Sequence, residues 1–552
     1  MKTKKLQILA ISLIINCHSF GQCVLGSGQF NAVMNNYQTN FLTDNDMFWD
    51  FINGSRKTFI PRFSNSSPIF VGSIWMGGYK NGQLVTACET YRDNNRVDFW
   101  PGPIDTVDLI TSASDCNLFD TFFPITKIQV DSQKNHLYTT GTIPSQITNW
   151  PGNGIKNPLE GDTTSYKLAP YQDVNHNNTY DPMNGDYPIM YGDYSIYQIT
   201  NDVGNYHAET GSLGIMGLET HITNYVIDCT SDSALWNTLF MHYDVINRGA
   251  NTITNFLFTM WSDFSYGGTS SNGNTHKKYV GCDTALNMYY AYNGSGYDKD
   301  TLGLTGYHQY LPAFAGVFLN QKMSRFTYYN NSPSILNGYP SGYLQYYNFM
   351  NGVWYNGAAM TYGGNGTAAG GTPTNYLYSG DPVANTGWTE ANAGNAPGDR
   401  RGLGTCGPFT FNPGDTIKVD FAYVFARDYA HPGDSVACIP ILKQYVQNVQ
   451  SYYNANTTPC GSTFSSGIKQ FGGGNSIQAT VYPNPSTGNF TIETNNDAKH
   501  TLTIYDINGK VVLSQIVNGT ANIDASNLSA GIYNLNIVGN KGVVNKRLVI
   551  VK

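Results

Sequence analysis

The sequence predicts an all-β protein: a large, multi-stranded, β-sandwich-like region with one C-terminal helix, followed by a small immunoglobulin-like β-sandwich. Three observations predict this class. The 552 residues include 40 Tyr and 58 Gly but only 12% charged residues, a composition typical of short strands joined by turns. Apolar residues alternate with polar ones in many short runs, as in half-buried strands. The length exceeds what one hydrophobic core usually serves, so we expect two or three domains.

Residues 1–21 have the pattern of a secretory signal peptide. Three lysines precede an apolar run at residues 6–15, and small residues lead up to a cleavage position before Gln22. The run is too short to cross a membrane, and no other stretch approaches the roughly 20 apolar residues that a transmembrane helix needs. We therefore expect a secreted chain without a transmembrane segment.

The charge excludes one class of partner. The formal net charge is -7 and the isoelectric point is about 5.8. Nucleic acids and anionic membranes attract basic surfaces, and this chain has no basic footprint of that kind. We expect no nucleic-acid partner.

Eight cysteines remain after the signal peptide, and their even number fits an oxidising compartment. They allow up to four disulfides, and no pair has the C-x-x-C spacing of a zinc or redox site. Cys438 and Cys460 flank a predicted helix and are candidates for a local staple. The alternative is that several of the eight are buried free thiols.

Two hairpins are predicted from alternating or apolar runs. The first joins strands at residues 69–78 and 84–91 through a turn at Lys80-Asn81-Gly82. The second joins residues 239–245, which alternate, to residues 256–261, which are apolar on both faces. We place this second hairpin at the heart of the sandwich.

The large region, residues 22–460, closes with three further segments. A stretch at residues 332–399 is rich in Gly, Asn, Tyr and Thr, and is either a surface excursion with Tyr anchors or partly disordered. It is our preferred place for a variable binding surface. Residues 416–425 alternate cleanly as a core strand, and residues 439–453 repeat apolar positions at helical spacing. The Gly- and Ser-rich residues 461–480 are a predicted flexible linker.

A loop at residues 173–186 has the oxygen spacing of a calcium loop. Carboxylates, amides and a hydroxyl at positions 1, 3, 5, 7 and 9 of a tight loop turn toward one hard cation. The predicted ligands are Asp173, Asn175, Asn177, Thr179 and Asp181.

This loop departs from an EF-hand because position 12 is Asn184 instead of Glu; Asp186 or another segment would supply the missing carboxylate. It more closely resembles the calcium loops of dockerin-like and thrombospondin type 3 repeats. Two certain carboxylates imply weak binding, on the order of 10⁻⁴ to 10⁻³ M, with a stapling role. The alternative is a metal-free loop held by Asx turns.

Catalytic signatures are absent from the sequence. It contains no G-x-S-x-G elbow, H-E-x-x-H motif, Walker loop or dinucleotide fingerprint, and His207-Ala208-Glu209 lacks a second histidine at ligand spacing. Glycan hydrolysis needs only two carboxylates at the right separation. Asp263 and Asp283 form a candidate pair, although acidic residues at strand ends are ordinarily turn residues.

The tail, residues 481–552, contains six or seven short strand patterns. Asn508-Gly509 lies between the apolar runs at residues 502–505 and 510–513, and supplies the positive φ angles of a type I′ hairpin turn. The run at residues 533–537 alternates apolar residues with asparagine. These patterns predict the small β-sandwich.

The tail also resembles a known family, the type A C-terminal sorting domain of Bacteroidota type IX secretion cargo. The resemblance runs from Val481-Tyr482-Pro483-Asn484-Pro485 to a basic final strand. Its signal residues are Pro483, Asn484, Pro485, Gly488, Asn508, Gly509, Gly531, Tyr533, Lys546 and Arg547. It implies passage across the outer membrane by the type IX machinery and removal of the domain by a sortase-like protease. The remaining passenger would then be attached to surface lipopolysaccharide or released.

For the passenger the sequence favours binding over catalysis. Several passages, such as Ile74-Trp75-Met76-Gly77-Gly78 and residues 98–103, resemble a recurrent class of secreted Bacteroidota proteins, a resemblance that brings no activity with it. Aromatic and amide-rich loops on a β scaffold suit recognition of glycans or surfaces, so we expect a non-catalytic binding or adhesive protein. The alternatives are a secreted glycan-active hydrolase and a structural surface component.

Overall fold

The predicted signal peptide and residues 465–478 of the predicted linker lie outside the residues that the structure describes. The computed structural model describes residues 23–92, 95–138, 141–154, 156–157, 162–163, 167–266, 277–301, 303–334, 336–464, 479–494, 499–506, 510–539 and 542–552.

Strands dominate the passenger. In chain order they are β1 (Gln29–Met34), β2 (Tyr37–Leu42), β3 (Trp49–Asp50), β4 (Ser55–Arg56), β5 (Ile69–Lys80), β6 (Gln83–Cys88), β7 (Trp100–Pro101), β8 (Phe123–Thr126), β9 (Lys156–Asn157), β10 (Asp162–Thr163), β11 (Tyr171–Gln172), β12 (Tyr187–Pro188), β13 (Tyr194–Asn201), β14 (Leu218–Val226), β15 (Thr238–Asn247), β16 (Ile253–Phe264), β17 (Lys278–Asp283), β18 (Met288–Asn293), β19 (Pro312–Phe318), β20 (Met323–Asn330), β21 (Arg400–Phe411) and β22 (Thr416–Arg427). The helices are α1 (Ala113–Leu118), α2 (Lys127–Lys134), α3 (Ser145–Thr148), α4 (Ser233–Trp236), α5 (Tyr343–Met350) and α6 (Cys438–Ala455).

Two antiparallel sheets form the body of the passenger. The larger has the order β17-β18-β19-β22-β15-β14-β13-β7, with β8 also paired to β13; the smaller has the order β20-β21-β16-β5-β6. The sheets meet across one core, where the Ser262 hydroxyl lies 2.8 Å from the hydroxyls of both Tyr289 and Tyr423. Gly404 lies under the Tyr289 ring, and a Cβ there would be 2.5 Å from a ring carbon. The sandwich fold class is confirmed.

The alternation in β22 places one face of the strand in this core. Its five alternating apolar residues belong to or pack against the same cluster: Ile417, Val419, Phe421, Tyr423 and Phe425. The opposite face meets α6, whose apolar stripe is buried against Ala422 and Val424. The predicted strand and helix are both confirmed.

The first predicted hairpin is confirmed and the second is wrong. β5 and β6 pair with Lys80 opposite Gln83, and Asn81 and Gly82 have the positive φ angles of a type I′ turn. In contrast, β15 lies between β14 and β22 in the larger sheet, whereas β16 lies between β5 and β21 in the smaller one. The chain therefore crosses from one sheet to the other at residues 248–252. Alternation marks a strand but does not identify its partner.

Buried aromatic side chains anchor the segment at residues 332–399. Trp354 is buried and its indole nitrogen donates to the Gly366 carbonyl at 2.9 Å. The Trp388 indole donates to the Gly364 carbonyl at 2.9 Å. These two bonds fix the most glycine-rich part of the excursion, while α5 covers the outer face of the smaller sheet through Tyr346, which meets Trp75 edge to face.

Two disulfides connect distant parts of the passenger. Cys23 is bonded to Cys116, and Cys229 is bonded to Cys460. The predicted staple between Cys438 and Cys460 is therefore wrong. Sequence spacing cannot identify a partner that lies 231 residues away. The free cysteines among the described residues are all buried: Cys88, Cys282, Cys406 and Cys438.

The C-terminal domain is a separate small sandwich. Its strands are β23 (Ala479–Tyr482), β24 (Asn489–Thr494), β25 (Lys499–Tyr505), β26 (Val511–Asn518), β27 (Thr520–Asp524), β28 (Gly531–Gly539) and β29 (Gly542–Ile550). They form two antiparallel sheets, β23-β24-β27 and β26-β25-β28-β29, around an apolar core of their own. β25 and β26 pair as the Asn508-Gly509 hairpin predicts, although these two turn residues lie outside the described ones.

Candidate functional site

In the C-terminal domain, the opening motif at residues 481–485 is hydrogen-bonded to the final strand, β29. Asn484 stands between two prolines, and its side-chain nitrogen donates to the Arg547 carbonyl at 2.7 Å. Its side-chain oxygen accepts from the Val549 amide at 2.8 Å. Ser486 continues this contact as a parallel bridge to Ile550. One asparagine thus bridges residues more than 60 positions apart in the chain.

Gly488 is required by its backbone conformation. Its φ angle is +120°, and a Cβ would lie 2.7 Å from the Ser526 Cα. A side chain is therefore excluded by both strain and contact. Gly531 differs, because the nearest atom to a Cβ there is a Tyr533 ring carbon at 3.8 Å. Tyr533 is buried, and its hydroxyl donates to the Ser529 carbonyl at 2.8 Å.

The two basic residues of the signature, Lys546 and Arg547, are exposed on β29. Their backbones pair with Leu535 and Asn534 of β28. Proline and asparagine of the opening motif therefore lie beside a strand that presents positive charge to solvent. Asn484 of the opening motif is thus joined to the basic strand, whereas Tyr533 is buried and Asn508 and Gly509 lie outside the described residues.

The predicted calcium loop is organised by its own side chains. The Asp173 carboxylate accepts from the amides of Asn177 at 3.2 Å and Asn178 at 2.8 Å. The Asn175 side-chain oxygen accepts from the Asn177 amide, and that of Asn177 accepts from the Thr179 amide. These are Asx-turn bonds of the kind the metal-free alternative requires. Each oxygen retains a second lone pair.

Asp186 connects the two ends of the same loop. It is fully buried, and its two oxygens accept from the amides of Val174 and Asp181, each at 2.8 Å. The side chain that was expected to complete a metal site is therefore committed to the backbone. No group of three or more His, Cys, Asp or Glu side chains within the described ranges is placed to hold a metal ion. Calcium binding by this loop stays a prediction.

Asp263 and Asp283 have different partners on different sheets. Asp263 on β16 is buried, where Tyr91 donates to it at 2.8 Å and Arg401 at 3.1 Å. Asp283 ends β17, accepts from two amides of the following turn and forms an ion pair with Lys443 at 3.0 Å. Asp283 is thus the turn residue that the ordinary interpretation expects.

A buried carboxyl cluster was not predicted from the sequence. Burial raises the pKa of Glu89, and the neighbouring carboxyls of Asp46 and Glu209 raise it further. Burial also raises the pKa of Glu209, and this effect outweighs the hydrogen bonds from Thr90 and Tyr346, which lower the pKa. One oxygen each of Asp46, Glu89 and Glu209 is buried without a hydrogen-bond partner. Like charges in such surroundings favour the protonated form of at least one carboxyl.

A second charged group crosses the outward face of the larger sheet. His242 on β15 lies 2.7 Å from Asp420 on β22 and 3.3 Å from Asp244. Burial lowers the pKa of His242, but the Asp420 and Asp244 carboxylates outweigh it and raise the pKa to about 9. Lys418 donates to Asp244 at 2.7 Å and Tyr453 donates to Asp420. His242 is therefore an imidazolium at neutral pH.

The same row continues onto the neighbouring strands. The Tyr197 hydroxyl lies 2.9 Å from His221 Nδ1, and His221 Nε2 lies 2.8 Å from Glu219. Glu219 also accepts from Arg248 at 2.7 Å. Burial alone would raise the pKa of Glu219, but His221 and Arg248 lower it to about 2. The sequence indicates this row only through the alternation of His242 and Asp244 with apolar residues. That alternation marks the outward face of β15 but does not identify the side chains on other strands that pair with it.

The comparisons with known proteins concern mainly the C-terminal domain. Residues 480–551 match the secretion system C-terminal sorting domain, which supports a type IX secretion cargo and a secreted or outer-surface location. No curated protein matches the chain. No helix within the described residues is long and apolar enough to span a membrane.

Solved structures resemble the chain only weakly. A polysaccharide lyase shares 7% identity over 60% of this chain and 34% of its own, with a TM-score of 0.18; this chain thus spans about a third of its length. A β-glucuronidase of Faecalibacterium prausnitzii shares 11% identity over 44% and 37%, with a TM-score of 0.14. The BSP domain of a biofilm-associated protein shares 9% identity over 98% and 85%, with a TM-score of 0.13. Scores this low carry no argument about activity.

Proposed function

We propose that the protein is a type IX cargo of the type A class, whose C-terminal domain delivers the passenger to the cell surface and is then removed by a sortase-like protease. The observation that carries this proposal is the match of residues 480–551 to the sorting domain. The folded domain supports it, because Asn484 holds the opening motif against the exposed basic strand β29. The passenger is then attached to lipopolysaccharide or released.

A graft tests whether the domain is sufficient for delivery. A periplasmic reporter with a signal peptide is extended by residues 465–552 and expressed in a host that has a type IX system. The proposal expects the reporter at the surface, shortened by about the mass of the domain. A matched graft with Gly488→Ala controls for nonspecific release. Reporter that stays in the periplasm with the intact domain contradicts the proposal.

For the passenger we propose a non-catalytic binding or adhesive role. The charged row on the outward face of the larger sheet supports it, because its members neutralise one another: His242 with Asp420 and Asp244, and Glu219 with Arg248. Exposed aromatic rings lie instead on loops, where binding residues are usually found on a rigid β scaffold. Binding of purified passenger to immobilised polysaccharides and matrix proteins tests this role. Release of soluble sugars from any of those polysaccharides would favour the hydrolase alternative.

The loop at residues 173–186 is proposed as a weak calcium staple. Asp173, Asn175 and Asn177 already accept hydrogen bonds from amides within the loop, and the remaining lone pairs of these oxygens are available to a hard cation. Calcium would then fix the segment between β11 and β12 without taking part in binding.

A further inference from the structure

We propose that two interlocked loops at one end of the larger sheet form a glycan-binding site, which we call the tyrosine platform: Tyr297, His308, Tyr310 and Tyr429. This inference rests on the proposed binding function and assigns that function a place and a class of ligand. The ligand is a hydroxyl-rich sugar chain with apolar ring faces and no dense negative charge.

The register of the sheet brings the two loops together. The first, residues 294–301 and 303–311, precedes β19, and the second, residues 428–437, follows β22. Because Pro312 of β19 pairs with Arg427 of β22, both loops begin at the same end of neighbouring strands. The Gly433 amide donates to the Gln309 carbonyl at 2.7 Å and locks one loop onto the other.

The rings form two pairs on these loops. The Tyr297 and His308 rings are stacked, with centroids 5.6 Å apart and planes 22° from parallel. The Tyr310 and Tyr429 centroids are also 5.6 Å apart. Tyr429 is 62% exposed and Tyr297 is 47% exposed. Large rings held in water on a rigid frame offer apolar contact area at a small cost in side-chain entropy.

Arg427 fixes the half of the platform that Tyr310 and Tyr429 form. Its guanidinium lies 4.9 Å from the centroid of the buried Tyr307 ring and 5.1 Å from that of Tyr429. It donates to the carbonyls of Tyr307 and Tyr310. A cation between two rings is a favourable arrangement, and here it orders Tyr310 and Tyr429 before any ligand arrives. Such preorganisation lowers the cost of binding.

Polar groups beside the rings favour a sugar over an apolar or anionic partner. His308 lies 2.7 Å from Asp300, and both side chains are accessible. His431 lies 2.8 Å from Asp428 and is exposed. These groups offer donors and acceptors to hydroxyls next to the ring faces. The accessible Asp300 carboxylate and the net charge of -7 oppose a polyanion.

The test measures affinity of the purified full-length protein for neutral oligosaccharides on a glycan array, followed by calorimetry with each one that binds. Tyr429→Ala and Tyr297→Ala are each expected to weaken binding by about tenfold or more. Tyr429→Phe keeps the ring and is expected to retain most of the affinity. Tyr206, which is 48% exposed on another loop, provides the control Tyr206→Ala, for which no change is expected.

The outcomes separate this inference from the proposed function. Loss of binding in the two platform variants, with unchanged melting temperature and an unaffected Tyr206→Ala control, supports the platform. Glycan binding that survives in both variants overturns the site but leaves the binding role. A wild-type protein that binds matrix proteins and no glycan overturns the class of ligand, and one that binds neither overturns the proposed function as well.

Discussion

Replacing Gly488 by alanine should strongly destabilise the C-terminal domain, whereas the same change at Gly531 should not. Gly488 has a φ angle of +120°, and an added Cβ would meet the Ser526 Cα at 2.7 Å. Strain at a glycine-only conformation costs about 1–3 kcal/mol, and forcing an atom into packed backbone costs about 1–3 kcal/mol more. The sum, about 2–6 kcal/mol, is a large part of the roughly 4–11 kcal/mol expected for a domain of this size.

Gly531 is the matched control because it lies in the same domain and belongs to the same sequence signature. An alanine there has 3.8 Å to the nearest atom, so we expect a change in stability within about 0.5 kcal/mol. Hydrogen exchange of peptides from β24 to β28 measures folding of the domain in the full-length protein. Protease treatment of intact cells measures surface delivery.

We expect Gly488→Ala to lose exchange protection and to retain the passenger in the periplasm, while Gly531→Ala behaves as the wild type. Equal protection and equal delivery in the two variants would refute the steric reasoning. Delivery of an unfolded Gly488→Ala domain would instead show that the machinery recognises sequence without the fold.

Three further predictions concern the passenger. The pKa of His242 is raised to about 9 in the folded state. Its contribution to the free energy of unfolding, up to about 3 kcal/mol, is therefore complete below about pH 6.5 and is lost as pH rises through 9. The melting temperature of His242→Gln should decline less than that of the wild type over this range, and an equal decline would argue against the ion pairs. Because burial raises the pKa of Glu89, folding favours the protonated carboxyl, and the stability of the passenger falls as rising pH removes that proton. Glu89→Gln should therefore have a higher melting temperature than the wild type at pH 8. A lower melting temperature would contradict repulsion among the buried carboxyls. Calcium at about 10 mM should stabilise the passenger by roughly 1.4–2.7 kcal/mol if the dissociation constant is about 10⁻⁴ to 10⁻³ M. Magnesium and the Asp173→Asn variant are the controls. A melting temperature that calcium does not change would favour the metal-free loop held by Asx turns.

Local patterns predicted the elements that depend on nearby residues. The turn at Asn81-Gly82 has the positive φ angles that those residue types favour. The alternation in β22 and the helical spacing in α6 reflect one buried face each, and burial of a single face is visible in a single segment. The β25–β26 hairpin was predicted from the Asn508-Gly509 turn between its strands, which is also a local pattern.

Partners that are distant in sequence were not predictable. β15 and β16 are consecutive strands that belong to different sheets, since β15 pairs with β14 and β22 whereas β16 pairs with β5 and β21. His242 and Asp420 are 178 residues apart, and Cys229 and Cys460 are 231 apart. A single sequence contains no record of which distant side chains meet.

The candidate sites divide in the same way. The signature of the C-terminal domain was visible because its residues form short contiguous motifs, and the bridge from Asn484 to β29 brings motifs at its two ends together. The tyrosine platform was not predicted as a site. Tyr297 and Tyr429 lie on loops that only the pairing of β19 with β22 brings together.

Removal of residues 481–552 tests the central claim most directly. The truncated chain and the full chain are expressed in a host with a type IX system, and the passenger is located by protease treatment of intact cells and by fractionation. We predict that the full chain reaches the surface and loses its C-terminal domain, whereas the truncated passenger stays in the periplasm in folded form. Truncated passenger at the surface in amounts equal to the full chain would contradict the account.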